Sequence, residues 1–262
     1  QVTFASESQI DEAAEMLGLD KLEFRRKNGL EAGDSTATSQ IFDESVGLLE
    51  TIERIAALAP PEPKRGPESA ESGGRYLLGT GYSCLLQGIS NGAEGVDGVG
   101  ASGQMSQDGS VLVGVGLTEL GQGAKTVYAQ VAAEVLGVTV DKVTVKLVDT
   151  DGVHDSGPTV ASRSTTVGGK AVEKAASAVR GSLVKMAALM TGADPESIRF
   201  EENTLTIGGD KNAVIPLREV ATAAYWTGFP LMHLEFSQAP AADYDHDTHQ
   251  GNIYIAYNFG TH

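Results

Sequence analysis

Sulfur, positive charge and long apolar runs are what this chain lacks. Cys84 is the one cysteine in 262 residues. No internal disulfide can form. A single thiol cannot build an iron–sulfur cluster or a cysteine-based zinc site, so any electrons must leave through another segment or subunit. Lys and Arg number 19 against 35 Asp and Glu, for a net charge of −16. That balance argues against nucleic acid and anionic membrane surfaces as partners. No apolar run is long enough to cross a bilayer. No charged-then-apolar leader is seen, so a cytoplasmic location is expected. The chain opens at Gln1 rather than Met and stops at His262 just after a strand-like run, NIYIAYNFG. It reads as an excised piece of a longer polypeptide.

The apolar share is ordinary for a globular protein, and the elements alternate. Ser8 is expected to cap a short helix through IDEAAEML, ended by Gly18. DKLEFRRKNGL predicts a second helix, ending near Asn28 and Gly29, and residues 43–58 a third. PPEPKRGPESAESGGR has turn residues and charge without periodicity, which predicts a linker. Beyond it, RYLLGTGYSCLLQG, GVGASGQM and SVLVGVG read as strands, the last two joined by a turn at Gln107, Asp108 and Gly109. A helix over about 123–136, the strand KVTVKLV, a polar loop over 149–164 and a long helix over about 166–190 follow. Next come a hairpin-like pair, IRFEENTLTIGG and NAVIPL, a helix through LREVATAAYW, and the strands LMHLEFSQ and NIYIAYNF. This order predicts an α+β fold of layered mixed sheet and helices. The expected division is a helical segment at 1–59, a linker at 60–75 and an α+β region at 76–262.

The stretch GLTELGQGAKTVYAQVAAEVL, residues 116–136, joins a strand to a helix through a glycine turn. The first turn of a helix leaves N–H groups without partners, and glycine lets a ligand approach them. Such a turn favours an anion such as phosphate. Gly116 and Gly121 fit the glycines of a nucleotide P-loop, but Gln122 stands where its lysine should be, and Lys125 and Thr126 come too late. A P-loop is therefore rejected. Gln122 adds two donors and an acceptor, which suits an uncharged, multiply bonding group beside a phosphate. A tight packing turn is the plainer alternative.

A second loop, DTDGVHDSGPTVASRSTTVGG, carries Ser156, Thr159, Ser162, Ser164, Thr165 and Thr166 just before the long helix. Small residues among these hydroxyls would let a flat polar ligand come close, although a hydroxyl-rich helix lead-in has the same composition. A ligand with a phosphate and several polar edges could touch both loops. Other patterns carry less. Gly98, Gly100 and Gly103 match G-x-G-x-x-G, but a strand follows instead of a helix, so a loop feeding a strand fits better. Ser182 and Lys185 match S-x-x-K inside a helix, without the companion motifs. DYDHDTHQG holds His246 and His249 without sharp ligand spacing and reads as a solvated loop.

Taken in order, these pieces resemble the molybdenum-cofactor region of the xanthine dehydrogenase/aldehyde oxidase family. EAAEMLGLDKLEFRRKNGLEAGD resembles the family's R-x-x-N…G-D helix, here Arg25, Arg26, Asn28, Gly33 and Asp34. The Gly-Gln-Gly turn, the DSGPTVASRS loop and the closing HQGNIYIAYNFGTH complete the resemblance. It implies that Gly121, Gln122, Gly123, Ala161, Ser162 and Ser164 bind molybdopterin, with Val160 and Ala161 nearest the substrate. It implies hydroxylation of a purine, N-heterocycle or aldehyde carbon, iron–sulfur and FAD domains or subunits as electron partners, and an oligomeric parent. The family's catalytic glutamate is expected beyond residue 262, and none of the glutamates here matches it. Gln1 resembles the glutamine of a Pro-Gln motif whose upstream neighbours orient substrate. The family's first glutamine–glycine loop is missing. Half a site seldom binds tightly, so the piece alone is expected to be inactive and free of cofactor. The alternative is a non-catalytic binding or assembly module that kept the scaffold.

Overall fold

The computed structural model describes residues 1–58, 79–146 and 148–262. The linker expected at 60–75 lies outside them, as do residues 76–78. Two compact units emerge: residues 1–88 with 242–262, and residues 89–241. The sequence-based division placed the C-terminal tail with the α+β region. Contacts group it with the N-terminal residues instead.

The first unit holds α1 (Val2–Met16), α2 (Lys21–Lys27) and α3 (Leu48–Leu58). It also holds β1 (Cys84–Ile89) except for its last residue. Asp20 caps α2 by accepting from Leu22 and Glu23 N–H. Ser8 is not a cap. It lies inside α1 and bonds back to the Phe4 carbonyl at 2.8 Å, because a helical hydroxyl reaches the carbonyl four residues behind it. The third helix starts at Leu48 rather than residue 43. Leu22, Leu48 and Ile52 form a small core. Arg25 is 4% exposed and pairs with Glu7 at 2.9 Å and Asp11 at 2.8 Å. Burial pushes the Asp11 carboxyl up, but bonds from Lys21 and Arg25 outweigh it and hold Asp11 below its usual value.

The second unit contains β2 (Gly98–Met105), β3 (Val111–Val115), α4 (Ala124–Leu136) and β4 (Val143–Lys146). The chain continues through α5 (Gly169–Thr191), β5 (Ile198–Glu201), β6 (Thr204–Ile207), β7 (Asp210–Pro216), α6 (Leu217–Trp226) and β8 (Met232–Gln238). Its main sheet runs β4-β3-β2-β8. β2 pairs antiparallel with β3 and β8, while β3 and β4 are parallel, with Val113 opposite Val145. A parallel pair needs a crossover, and α4 supplies it. Alternation along β2 and β3 turns Val99, Ala101, Met105, Val111, Val113 and Val115 into the core. They meet the buried faces of α4 and α5 there. Each fully buried Val or Leu contributes roughly 1.5–3 kcal/mol relative to exposure.

Gly98, Gly100 and Gly103 lie within β2 itself, not in a loop before it. The hairpin-like pair is a three-stranded sheet, β5-β6-β7. Glu202 and Asn203, with φ of 46° and 65°, make a two-residue turn that divides the first of the two expected strands. The tail forms β9 (Tyr244–Asp245), β10 (Gln250–Gly251) and β11 (Ala256–Thr261). β11 pairs with β1, and β9 with β10, in the first unit. No helix among the described residues is long and apolar enough to cross a membrane.

Candidate functional site

The glycine turn lies where β3 ends and α4 begins, at the carboxyl edge of a sheet strand. Open α/β sheets commonly receive ligands at such edges. Gly121 and Gly123 adopt φ of 100° and 84°, and an added Cβ at either would meet nothing within 4 Å. Positive φ is therefore what requires glycine here. The turn aims three amides at one carboxylate. Glu119 Oε1 accepts from Gly121 N at 2.7 Å and Gly123 N at 2.9 Å, and Oε2 accepts from Lys125 N at 3.0 Å. Bonds from Lys125 and Gly123 N–H, the largest causes, hold the Glu119 carboxyl below its ordinary value. Gln122 folds back on the turn. Its Nε2 donates to the Thr118 carbonyl at 2.8 Å, and its Oε1 accepts from Leu120 N at 2.5 Å.

The second loop comes against this turn. Thr118 N donates to Thr159 Oγ1 at 2.7 Å. The Tyr128 hydroxyl, on α4, donates to the Ser164 carbonyl at 3.1 Å. Tyr128 is buried, and that burial pushes its phenol up. A Cβ on Gly116 would lie 1.9 Å from the His154 carbonyl oxygen, so the loops touch at a position that admits no side chain. Sequence spacing alone gave no sign of this contact.

Along the second loop, Val160 and Ser162 are exposed, Ala161 and Ser164 are half-buried, and Arg163 is buried. Ala161 and Ser162 both have left-handed backbone, with φ of 52° and 54°. Ser164 opens a π-helical turn, Ser164–Gly168, that runs into α5. The loops holding Gly121, Gln122 and Gly123 and holding Val160, Ala161, Ser162 and Ser164 are thus brought together.

Sequence reasoning passed over Glu119, Tyr128, Arg163 and Asp97. The one available signal was Glu119, a carboxylate two residues before a glycine turn. Tyr128 lay hidden in a helical apolar pattern, and nothing local links Arg163 to Asp97. Among the described residues no three His, Cys, Asp or Glu side chains converge as a metal site. The Tyr244 hydroxyl and His249 Nδ1 are 3.2 Å apart in the tail. Ser182 bonds the His233 ring at 3.1 Å, while Lys185 is exposed.

The donor set can be tested against a pterin–phosphate group. Three amides on one carboxylate are a donor set for an anion, and Glu119 holds the place such an anion would take. Gln122 and Thr159 bring neutral polar groups to the same turn, where they are bonded to Leu120 and Thr118. The residues present fit a ligand with one anionic end and several polar edges.

Residues 57–262 match the family described as molybdopterin cofactor-binding domain. A xanthine dehydrogenase molybdenum-binding subunit from Escherichia coli O157:H7 is 36% identical over 72% of this chain and 25% of its own length. The nicotine 6-hydroxylase large subunit of Paenarthrobacter nicotinovorans is 32% identical over 86% of this chain and 28% of its own. The quinoline 2-oxidoreductase structure from Pseudomonas putida 86 superposes with a TM-score of 0.76 at 26% identity. That match covers 99% of this chain and 34% of the larger one. The chain thus spans about a quarter to a third of the length of these relatives. The chain belongs to the molybdopterin cofactor-binding family of the xanthine dehydrogenase/aldehyde oxidase type.

Proposed function

We propose that this chain is part of the cofactor bed of a molybdenum-dependent hydroxylase. The observation that carries the reading is the meeting of two polar loops, one of which presents three convergent amides. A molybdenum–molybdopterin group, when bound, supplies the two-electron oxidation of an electron-poor carbon. The chain supplies orientation. Gly121 and Gly123 N–H would hold the anionic end in place of the Glu119 carboxylate, and the Gln122 amide would leave Leu120 N and the Thr118 carbonyl to meet a polar edge. Ala161, Ser162 and Ser164 line the facing side. Val160 and Ala161 lie toward the substrate, a purine, other N-heterocycle or aldehyde.

Cys84 alone cannot carry electrons away, so iron–sulfur and FAD domains or subunits of an oligomeric, cytoplasmic parent receive them. The proton-abstracting glutamate belongs to another segment, and residues 1–262 alone have no activity and retain no cofactor. The test is molybdenum by elemental analysis and pterin by fluorescence, both on the full-length parent from a host that makes the cofactor. Near-stoichiometric values that fall in Gln122→Ala and Ser162→Ala variants support the reading. Absence of both from the unaltered parent would leave a non-catalytic module on the same scaffold.

A further inference from the structure

The side chain of Arg163 is 2% exposed, while Val160 and Ser162 beside it in the loop are exposed. Its Nε donates to Asp97 Oδ1 at 2.6 Å. Its Nη1 donates to the carbonyls of Ser156 at 2.6 Å and Pro158 at 2.9 Å, and its Nη2 donates to the Gly98 carbonyl at 2.9 Å. One planar fork thus ties the start of β2 to two points of the second loop. The arrangement closes on itself. Asp97 Oδ2 accepts from Asn91 N at 2.8 Å, and the preceding Ser90 N donates to the Ala161 carbonyl at 2.9 Å. Ser90, Ala161 and Ser162 all have positive φ, at 85°, 52° and 54°. Left-handed backbone at non-glycine residues persists only where the surroundings over-determine it. Here the over-determining element is a buried ion pair.

We propose that Arg163, held by Asp97, is the positioning residue of the second cofactor loop, fixing the backbone of Ala161 and Ser162 in the shape that receives the cofactor. This rests on the function proposed above. Arg163 acts through the loop and touches no reacting atom. A lysine in its place keeps the charge but not the fork, and cannot reach acceptors spread over Asp97, Gly98, Ser156 and Pro158 at once.

The experiment uses the full-length parent with Arg163→Lys, Arg163→Met and Asp97→Asn. Peptide-resolved hydrogen exchange is measured on protein made without cofactor, and molybdenum content on protein made with it. Exchange over 156–164 should rise at least tenfold in both arginine variants, with residues 101–115 unchanged. Asp97→Asn, which keeps an acceptor, should move the same way by less. Molybdenum content should fall below half in Arg163→Lys even though exchange over 101–115 shows its sheet intact. Unchanged loop exchange in Arg163→Lys would overturn the proposal. A loosened loop with full molybdenum content would also overturn it, reducing the ion pair to a fold contact. If Arg163→Met fails to fold, Arg163→Lys and Asp97→Asn decide. Absence of molybdenum and pterin from the unaltered parent would sink the functional reading separately, since the exchange measurement does not depend on cofactor.

Discussion

Replacing Gly116 by alanine puts the contact between the two loops under direct load. The φ of Gly116 is not in the left-handed region, so the backbone itself would accept alanine. The obstacle is steric. The new Cβ would sit 1.9 Å from the His154 carbonyl oxygen and 2.7 Å from Ser156 Oγ, where ordinary contact begins at 3.4 Å. The His154 backbone must therefore retreat by about 1.5 Å. It cannot do so freely. Ser156 Oγ lies 3.3 Å from the Gly100 amide nitrogen, and the Ser156 carbonyl accepts from Arg163. Overpacking of this kind costs about 1–3 kcal/mol. At about 1.4 kcal/mol per factor of ten, local opening becomes about five- to 150-fold more frequent. The assay is peptide-resolved hydrogen exchange of the full-length parent over 150–158 and 111–116. Gly181→Ala is the control of opposite sign. Gly181 lies inside α5 with nothing within 4 Å of its Cβ position. Alanine there should stabilise the helix by about 1 kcal/mol. Unchanged exchange over 150–158 in Gly116→Ala would refute the loop contact. Equal destabilisation by both variants would show that losing any glycine, rather than this clash, sets the cost.

Tyr128→Phe should remove about 0.5–1.5 kcal/mol of local stability by leaving the Ser164 carbonyl without its donor, read as faster exchange over 164–168. Because burial raises the Tyr128 phenol above 10.0, its stabilisation is fully present below pH 10 and lost as pH rises through the higher folded value. An ultraviolet titration of the Phe variant should lack one late-ionising phenol, and its exchange over 164–168 should depend less steeply on alkaline pH. Glu119 shows the opposite sign. Its folded value lies below 4.5, so its contribution is present above that pH and fades as pH falls through the folded value. The amides of Gly121, Gly123 and Lys125 should therefore lose protection in acid. In Glu119→Gln they should be weakly protected at every pH, and equal protection in the two proteins would remove Glu119 from the turn.

Local pattern carried a good part of the architecture. The strand at 98–105 and the helix at 217–226 fall where alternation and helical spacing placed them. Asn28 ends α2, and Gly109 makes its turn with φ of 83°. Failures occurred where local chemistry allows two outcomes. Ser8 can cap a helix or bond back inside one, and here it does the second. Glu202 and Asn203 lack the glycine that usually announces a two-residue turn, so one strand was expected where two exist. The linker expectation falls on residues outside those described.

Side-chain chemistry along the chain was enough to mark the glycine turn and the hydroxyl-rich loop as polar, closely approachable segments. It was enough to deny the chain any cysteine-based redox centre. These are short-range properties, set by φ preferences, side-chain donors and residue counts. Which distant pieces meet is a different quantity. Gly116 against His154, Thr159 at the Thr118 amide, Tyr128 at the Ser164 carbonyl and Asp97 beneath Arg163 are pairs that no periodicity encodes. The same holds for β11, which pairs with β1 from the far end of the chain. Sheet pairing and the packing of α4 and α5 select those partners. Once selected, buried donors and charges must be matched, because an unmatched one in the core is costly.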